Sequence, residues 1–163
     1  MPGLVGCVSK SPDASAPRLF RSLLGSMKCQ SQLQIETAMA ADGEWALGHL
    51  HLHGAAPDRS IADKKATVTV MFHGVLHNAD ELIARIRKEE NIDLRGGHPT
   101  LIAHLYKTRG NYFVRYLKGA FVVALIDDNA KKAIVVTDRL DDLAGVHRLV
   151  AAGRADDLHQ HDH

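Results

Sequence analysis

The chain has 163 residues, which is enough for one domain of ordinary size that buries its core without a covalent staple. Its 20 basic and 19 acidic side chains nearly cancel, so there is no global field to attract nucleic acid or an anionic membrane. The two cysteines, Cys7 and Cys29, lack the spacing of a metal or redox motif, and no apolar run is long enough for a membrane span or a signal peptide. A soluble, cytoplasmic protein is expected.

The first half of the sequence predicts strands around one helix. The apolar run at 4–9 predicts a buried strand, and apolar residues at helical spacing predict an amphipathic helix over 16–27. The apolar face of that helix would consist of Leu19, Phe20, Leu23 and Leu24. Residues 31–39 and 45–52 predict a hairpin whose turn, at 41–43, contains a glycine suited to positive φ.

The clearest strand is predicted at 66–72, because it is rich in β-branched and aromatic residues, and it is expected to end in a tight turn at His73-Gly74. Asn78 stands three residues before Glu81, which is the spacing of a capping box at the start of a helix that continues to about residue 90.

Further along, the chain predicts a helix over 99–107 that stops at Gly110, and a shorter helix over 112–117. Strands at 120–126 and 132–137 follow, joined by a polar turn. Strands early, helices in the middle and strands late favour an α+β domain with sheets packed face to face and helices outside.

Three segments give a family resemblance. The opening MPGLVG resembles the Met-Cys-Gly-Ile-x-Gly opening of class II glutamine amidotransferases, and FHGVLHN at 72–78 is similar to their Asn-Gly-Glu-Ile-Tyr-Asn turn. Residues 96–140 resemble the family's stretch that runs from Ser-Asp-x-Glu through Leu-x-Gly-x-Phe-Ala to Asp-Arg-Leu-Gly. The matching residues here are LKGAF at 117–121 and DRL at 138–140. The chain thus resembles the amino-terminal glutaminase domain of the asparagine-synthetase family.

The resemblance implies a domain over 1–140 with the Ntn-hydrolase-like fold, a four-layer αββα sandwich of two antiparallel sheets. In that family an ATP-dependent synthetase domain usually follows and receives ammonia from glutamine hydrolysis, so such a domain is one expected partner. Residues 141–163 depart from the pattern and are interpreted as a divergent, partly disordered tail, truncated or irregular, that ends in a His- and Asp-rich run. A truncated or frame-shifted coding sequence and a genuine stand-alone protein both remain open, and exposed sheet edges make self-association a second expectation.

The departures from the family fall on its catalytic residues. Active members expose an amino-terminal cysteine whose α-amine serves as the base, and Pro2 occupies that position here. Cys7 is about 17 Å away along an extended strand and is interpreted as an inert core thiol. The resemblance therefore implies that the catalytic nucleophile is absent.

Substrate-binding positions depart as well. By the same resemblance, His51 replaces the arginine for the glutamine α-carboxylate, His73 replaces the oxyanion-hole asparagine next to a retained Gly74, and His98 replaces the aspartate for the α-ammonium. Neutral imidazoles serve both ionic roles poorly, so glutamine binding is expected to be lost.

Several interpretations of these histidines stay open. One is drift at a pocket released from catalysis, and another is a divalent metal such as zinc held by His51, His73 and His98. A different small ligand in the old pocket is a third. His49 and His53 share the strand face of His51 by two-residue alternation and are expected to be solvated. Residual glutaminase activity would need an unexpected nucleophile, and use of Pro2 as a general base, as in tautomerases, has no other support in the sequence.

Overall fold

The computed structural model describes residues 3–9, 15–27, 33–52, 67–90, 94 and 96–138. These segments contain six strands, three α-helices and one 3-10 helix. In chain order they are β1 (Gly3–Val8), α1 (Ser15–Met27), β2 (Leu33–Met39), β3 (Trp45–Leu52), β4 (Val68–Leu76), α2 (Ala79–Glu90), α3 (His98–Arg109), the 3-10 helix (Gly110–Tyr116), β5 (Gly119–Asp127) and β6 (Lys132–Thr137).

The strands form two antiparallel three-stranded sheets, with orders β1-β3-β2 and β4-β5-β6. Helix α1 packs on β1 and β3, helix α3 packs on β4, and β3 and β4 bring the two sheets into contact. The predicted α+β fold, with two sheets between helices, is confirmed.

Side-chain alternation along the strands separates the core into layers. In β4, Val70 and Phe72 face the helices and pack in one cluster with Leu101 and Ile102 of α3. Met71, between them in sequence, points the other way and packs between the sheets. Strand β3 divides in the same manner, so β3 and β4 each contribute one side-chain row to the space between the sheets.

The predicted hairpin is confirmed. Strands β2 and β3 pair from Leu33 opposite Leu52 to Met39 opposite Ala46. Gly43, in the connecting turn, has a φ of 78°, the left-handed region that favours glycine.

The prediction that the clearest strand ends at His73-Gly74 is wrong. Strand β4 continues through both residues to Leu76, and Gly74 stays in register opposite Phe121. Gly74 has a φ of 124°, and a Cβ there would collide with the carbonyl oxygen of Ala120. The glycine that suggested a turn instead lets two strands approach closely.

Two local expectations also need correction. Leu19 and Leu23 of α1 are 56% and 38% exposed, so the helix buries Ala16 and Phe20 rather than the whole predicted face. Strand β1 is an edge strand in which only Cys7 is buried, instead of the fully buried strand expected.

No helix within the described segments is long and apolar enough to cross a membrane. Several sequence-based assignments lie outside the described residues: Pro2, Cys29, His53, residues 139–140 of the Asp-Arg-Leu motif, and the tail at 141–163.

Candidate functional site

The space between the two sheets has two chemically different ends. Strand β3 points Trp45, Leu47, His49 and His51 into it by alternation. Trp45 and Leu47 pack with Met71 of β4 in an apolar cluster, and the histidines lie beyond them. We call the two regions the tryptophan end (Glu44, Trp45, Asp128 and Lys131) and the histidine end (His49, His51 and His73).

Polar contacts close the tryptophan end. The Trp45 Nε1–H donates to Asp128 Oδ1 over 2.7 Å, and Lys131 Nζ lies 2.7 Å from Glu44 Oε2. Because Trp45 and the adjoining Glu44 lie where the β2–β3 turn enters β3, and Asp128 and Lys131 lie in the β5–β6 turn, these contacts bridge the two sheets.

At the histidine end, imidazoles from both sheets meet. His49 Nε2 lies 3.1 Å from His73 Nδ1, a hydrogen bond in which one ring donates and the other accepts. The His51 ring centroid is 5.4 Å from that of His49, and His51 Nδ1 lies 3.3 Å from the Leu52 carbonyl oxygen. His49 and His51 are 5% and 6% exposed, so the expectation of a solvated His49 is wrong.

Burial keeps the central pair of these imidazoles neutral. Desolvation, followed by repulsion from His73 and His51, lowers the pKa of His49 to about 4, although Glu36 opposes the shift. Glu36 stands opposite His49 in the β2–β3 register and shares its face. Burial also lowers the pKa of His73. At neutral pH, the hydrogen bond between His49 and His73 therefore joins two uncharged rings, without charge repulsion.

His98 lies on the other side of the β4 sheet. It is the first residue of α3, and its ring packs on Phe72 with centroids 4.8 Å apart. Phe72 faces the helices, whereas His73 faces the other sheet. Thus the structure places His73 beside His49, and His49 beside His51, but it places His98 against Phe72. Over the described residues, no group of three or more His, Cys, Asp or Glu side chains is positioned to hold a metal ion.

Cys7 faces away from the histidine end. It packs with Ala16, Phe20 and Ala46 under α1, and burial raises the pKa of its thiol. A buried thiol with a raised pKa is a poor nucleophile.

Two of the family-like sequence segments form one structural unit beside the site. Asn78 Nδ2 donates to the Tyr116 carbonyl oxygen over 2.8 Å, and its Oδ1 accepts from the Lys118 backbone N–H over 3.0 Å. The His77 N–H donates to the Lys118 carbonyl oxygen over 2.8 Å. The Asn78 side chain, predicted to cap α2, therefore joins segments 72–78 and 117–121.

Sequence reasoning missed the central role of His49 and the involvement of Glu36. Side-chain alternation was the signal that could have found them. Glu36 shares its face of β2 with the inward Ala38, and His49 shares its face of β3 with the inward Leu47. Which β2 residue stands opposite His49 depends on the register, which only the fold provides.

The glutamine amidotransferase domain family matches residues 50–153, more than half of the chain. An asparagine synthetase [glutamine-hydrolyzing] of Zea mays is 32% identical over 83 residues, covering 51% of this chain and 14% of the relative. Asparagine synthetase [glutamine-hydrolyzing] 1 of Arabidopsis thaliana is 27% identical over 143 residues, covering 86% and 24%. The chain thus spans less than a quarter of the length of these relatives.

Among solved structures, a glutamine phosphoribosylpyrophosphate amidotransferase from B. subtilis, complexed with ADP and GMP, superposes with a TM-score of 0.60. Its sequence identity is 17%, and the match covers 85% of this chain and 37% of that chain. This similarity supports the two-sheet fold.

Proposed function

Because this chain belongs to the glutamine amidotransferase domain family, we propose that it is a catalytically inactive member, related to the glutaminase domain of asparagine synthetase. The ancestral role would be glutamine hydrolysis that supplies ammonia for ATP-dependent amide formation. In this chain the glutamine pocket would be replaced by a buried histidine cluster.

The His49–His73 hydrogen bond is the observation that carries this proposal. In the resemblance, position 73 is the oxyanion-hole asparagine, whose amide must donate to the substrate oxygen. His73 Nδ1 is instead engaged by His49 Nε2 at 3.1 Å. That nitrogen is therefore committed to a protein partner from the opposite sheet.

The surrounding groups also argue against glutamine recognition. His51 replaces the expected arginine and is buried, and none of the six strands contains an arginine to bind an α-carboxylate bidentately. Pro2 carries no thiol or hydroxyl, and Cys7 faces α1. A hydrolytic step would lack both its nucleophile and its substrate anchor.

Glutamine turnover provides the test. Purified protein is incubated with glutamine, and ammonia is measured with and without a glutamine-analogue alkylator. We expect no ammonia above a no-protein control, and alkylator-sensitive release would overturn the proposal. The matched comparison is the variant Pro2→Cys/His51→Arg/His73→Asn/His98→Asp, which restores the family residues. If this variant hydrolyses glutamine and Pro2→Cys alone does not, the loss of glutaminase activity is due to the pocket as well as to the nucleophile.

A divalent metal is the second candidate; the sequence predicts His51, His73 and His98 as ligands, and the structure separates His98 from the other two. In its favour, His49 Nε2 and His73 Nδ1 lie 3.1 Å apart, so an ion that displaced the proton between them would have two imidazole ligands. Metal content of tag-free protein, measured by mass spectrometry, tests it. A near-stoichiometric ion that His73→Ala removes and that exposed His77→Ala retains would support a metal site; an ion unaffected by His73→Ala would refute it.

A further inference from the structure

A surface of arginine and tyrosine side chains lies on the helices that cover the β4 sheet. Arg85 of α2 and Arg109 of α3 approach the ring of Tyr116, with Cζ 5.7 Å and 5.6 Å from its centroid. Arg115 lies 5.2 Å from the Tyr112 ring centroid. We call these five residues the arginine–tyrosine surface. All three arginines are exposed, and Tyr112 is 54% exposed.

On α3 and the 3-10 helix, the lysine and arginine charges around this surface are not offset by any acidic side chain. Residues 96–118 contain Lys107, Arg109, Arg115 and Lys118 but no aspartate or glutamate. On α2, Glu81 and Glu89 lie one turn to either side of Arg85. Neither of the ion pairs between described residues, Glu90 with His104 and Glu44 with Lys131, involves these three arginines.

The surface is also fixed in place by the core beneath it. Phe113, in the same 3-10 helix, is fully buried and packs edge-on against Tyr106, with centroids 5.8 Å apart. The Tyr116 carbonyl oxygen accepts from Asn78 Nδ2 over 2.8 Å. Three guanidinium groups therefore stand on a pre-organised support, which lowers the entropy cost of binding a partner.

We propose that the arginine–tyrosine surface docks an acidic segment of a partner protein. Guanidinium groups held over tyrosine rings keep N–H groups available for bidentate bonds to carboxylates. The same placement disfavours single-stranded nucleic acid, because the arginines already lie over the tyrosine rings on which bases would stack.

Fluorescence anisotropy with labelled decaglutamate, at low ionic strength, tests the proposal on the full chain. The variant Arg85→Gln/Arg109→Gln/Arg115→Gln is expected to weaken binding roughly tenfold or more. The matched control, Arg18→Gln/Arg21→Gln/Arg87→Gln, removes the same charge elsewhere on exposed helix positions and should change affinity less than about twofold.

Three results would overturn the proposal: no binding of decaglutamate by the wild type, equal weakening in both triple variants, or tighter binding of labelled decauridylate. A third variant, Arg85→Lys/Arg109→Lys/Arg115→Lys, keeps the charge but removes the guanidinium fork. It should weaken binding while the far-UV circular dichroism stays unchanged. Unaltered affinity in this lysine variant would refute guanidinium recognition. The lysine variant also keeps the proposal testable if the triple Arg→Gln variant does not fold.

Discussion

The tryptophan end and the histidine end close the same space between the sheets by different means. At the tryptophan end, an indole N–H meets a carboxylate and a lysine meets a glutamate, so the charged partners lie at the rim near water. At the histidine end, His49 and His73 bond to each other inside the sandwich, and His49 is only 5% exposed. One end is bridged by a hydrogen bond and an ion pair, and the other holds the histidines that the family resemblance aligns with substrate positions.

This difference shows that the fold and the chemistry of this domain are separable. The apolar row between the sheets, with Trp45, Leu47 and Met71, does not depend on which groups lie at the far end. The proposed loss of the catalytic pocket is compatible with a stable fold because the buried His49 and His73 satisfy one another, whereas an unpaired buried polar group would cost about 1–3 kcal/mol.

The largest expected effect comes from Gly74, where the histidine end depends on backbone packing. Gly74→Ala would press a Cβ against the Ala120 carbonyl oxygen at a φ of 124°. We expect a loss of roughly 3 kcal/mol or more in the free energy of unfolding, measured by urea denaturation. Gly25→Ala, where nothing lies within 4 Å, is the control and should stabilise the chain by about 0.5–1 kcal/mol. Equal effects would contradict the close approach.

Acid should weaken the histidine end. The pKa of His49 has its ordinary value of 6.5 in the unfolded chain, and burial lowers this pKa to about 4 in the folded chain. Protons therefore favour the unfolded state, and the stability present above pH 6.5 is lost as the pH falls toward 4. The loss attributable to His49 should be about 2–3 kcal/mol, and His49→Gln should flatten the profile in this window. Identical pH profiles for the two proteins would refute a neutral, buried His49.

At the tryptophan end, Trp45→Phe keeps an aromatic ring but removes the donor to Asp128. We expect a loss of about 1–2 kcal/mol in the free energy of unfolding, with little dependence on pH between 5 and 7. A double-mutant cycle with Asp128→Ala isolates the hydrogen bond. Strictly additive losses would show that the contact joining the two sheets contributes nothing.

The smallest effect is expected at Lys131, whose ion pair with Glu44 is exposed to solvent. Lys131→Ala should leave the thermal midpoint nearly unchanged, because water and salt screen an exposed pair. A large, salt-sensitive drop would show that this pair holds the tryptophan end.

Local patterns in the sequence predicted most of the secondary structure. The β2–β3 hairpin and the helices α2 and α3 follow from periodicity and from Gly43 and Pro99, which act through the nearest few residues. The extent of β4 could not be predicted in this way. Whether Gly74 turns the chain or lies in a ladder depends on β5, about 45 residues later, whose Gly119 makes room for the same close approach.

The site was predictable only in part. Alternation correctly placed His49 and His51 on one strand face, and the resemblance drew attention to His73. The meeting of His49 with His73 required the packing of one sheet on the other. The separation of His98 from them required the strand pleat that sends Phe72 and His73 to opposite faces. Burial, which sets the pKa of His49, is likewise a property of the assembled sandwich.

Glutamine binding, measured by isothermal titration calorimetry on the wild type and on His49→Gln, tests the central claim most directly. We predict no saturable binding by the wild type at millimolar glutamine, because the described strands carry no arginine and His73 is bonded to His49. Saturable, stoichiometric binding by the wild type would contradict the account, and its loss in His49→Gln would show that the histidine end is still a glutamine pocket.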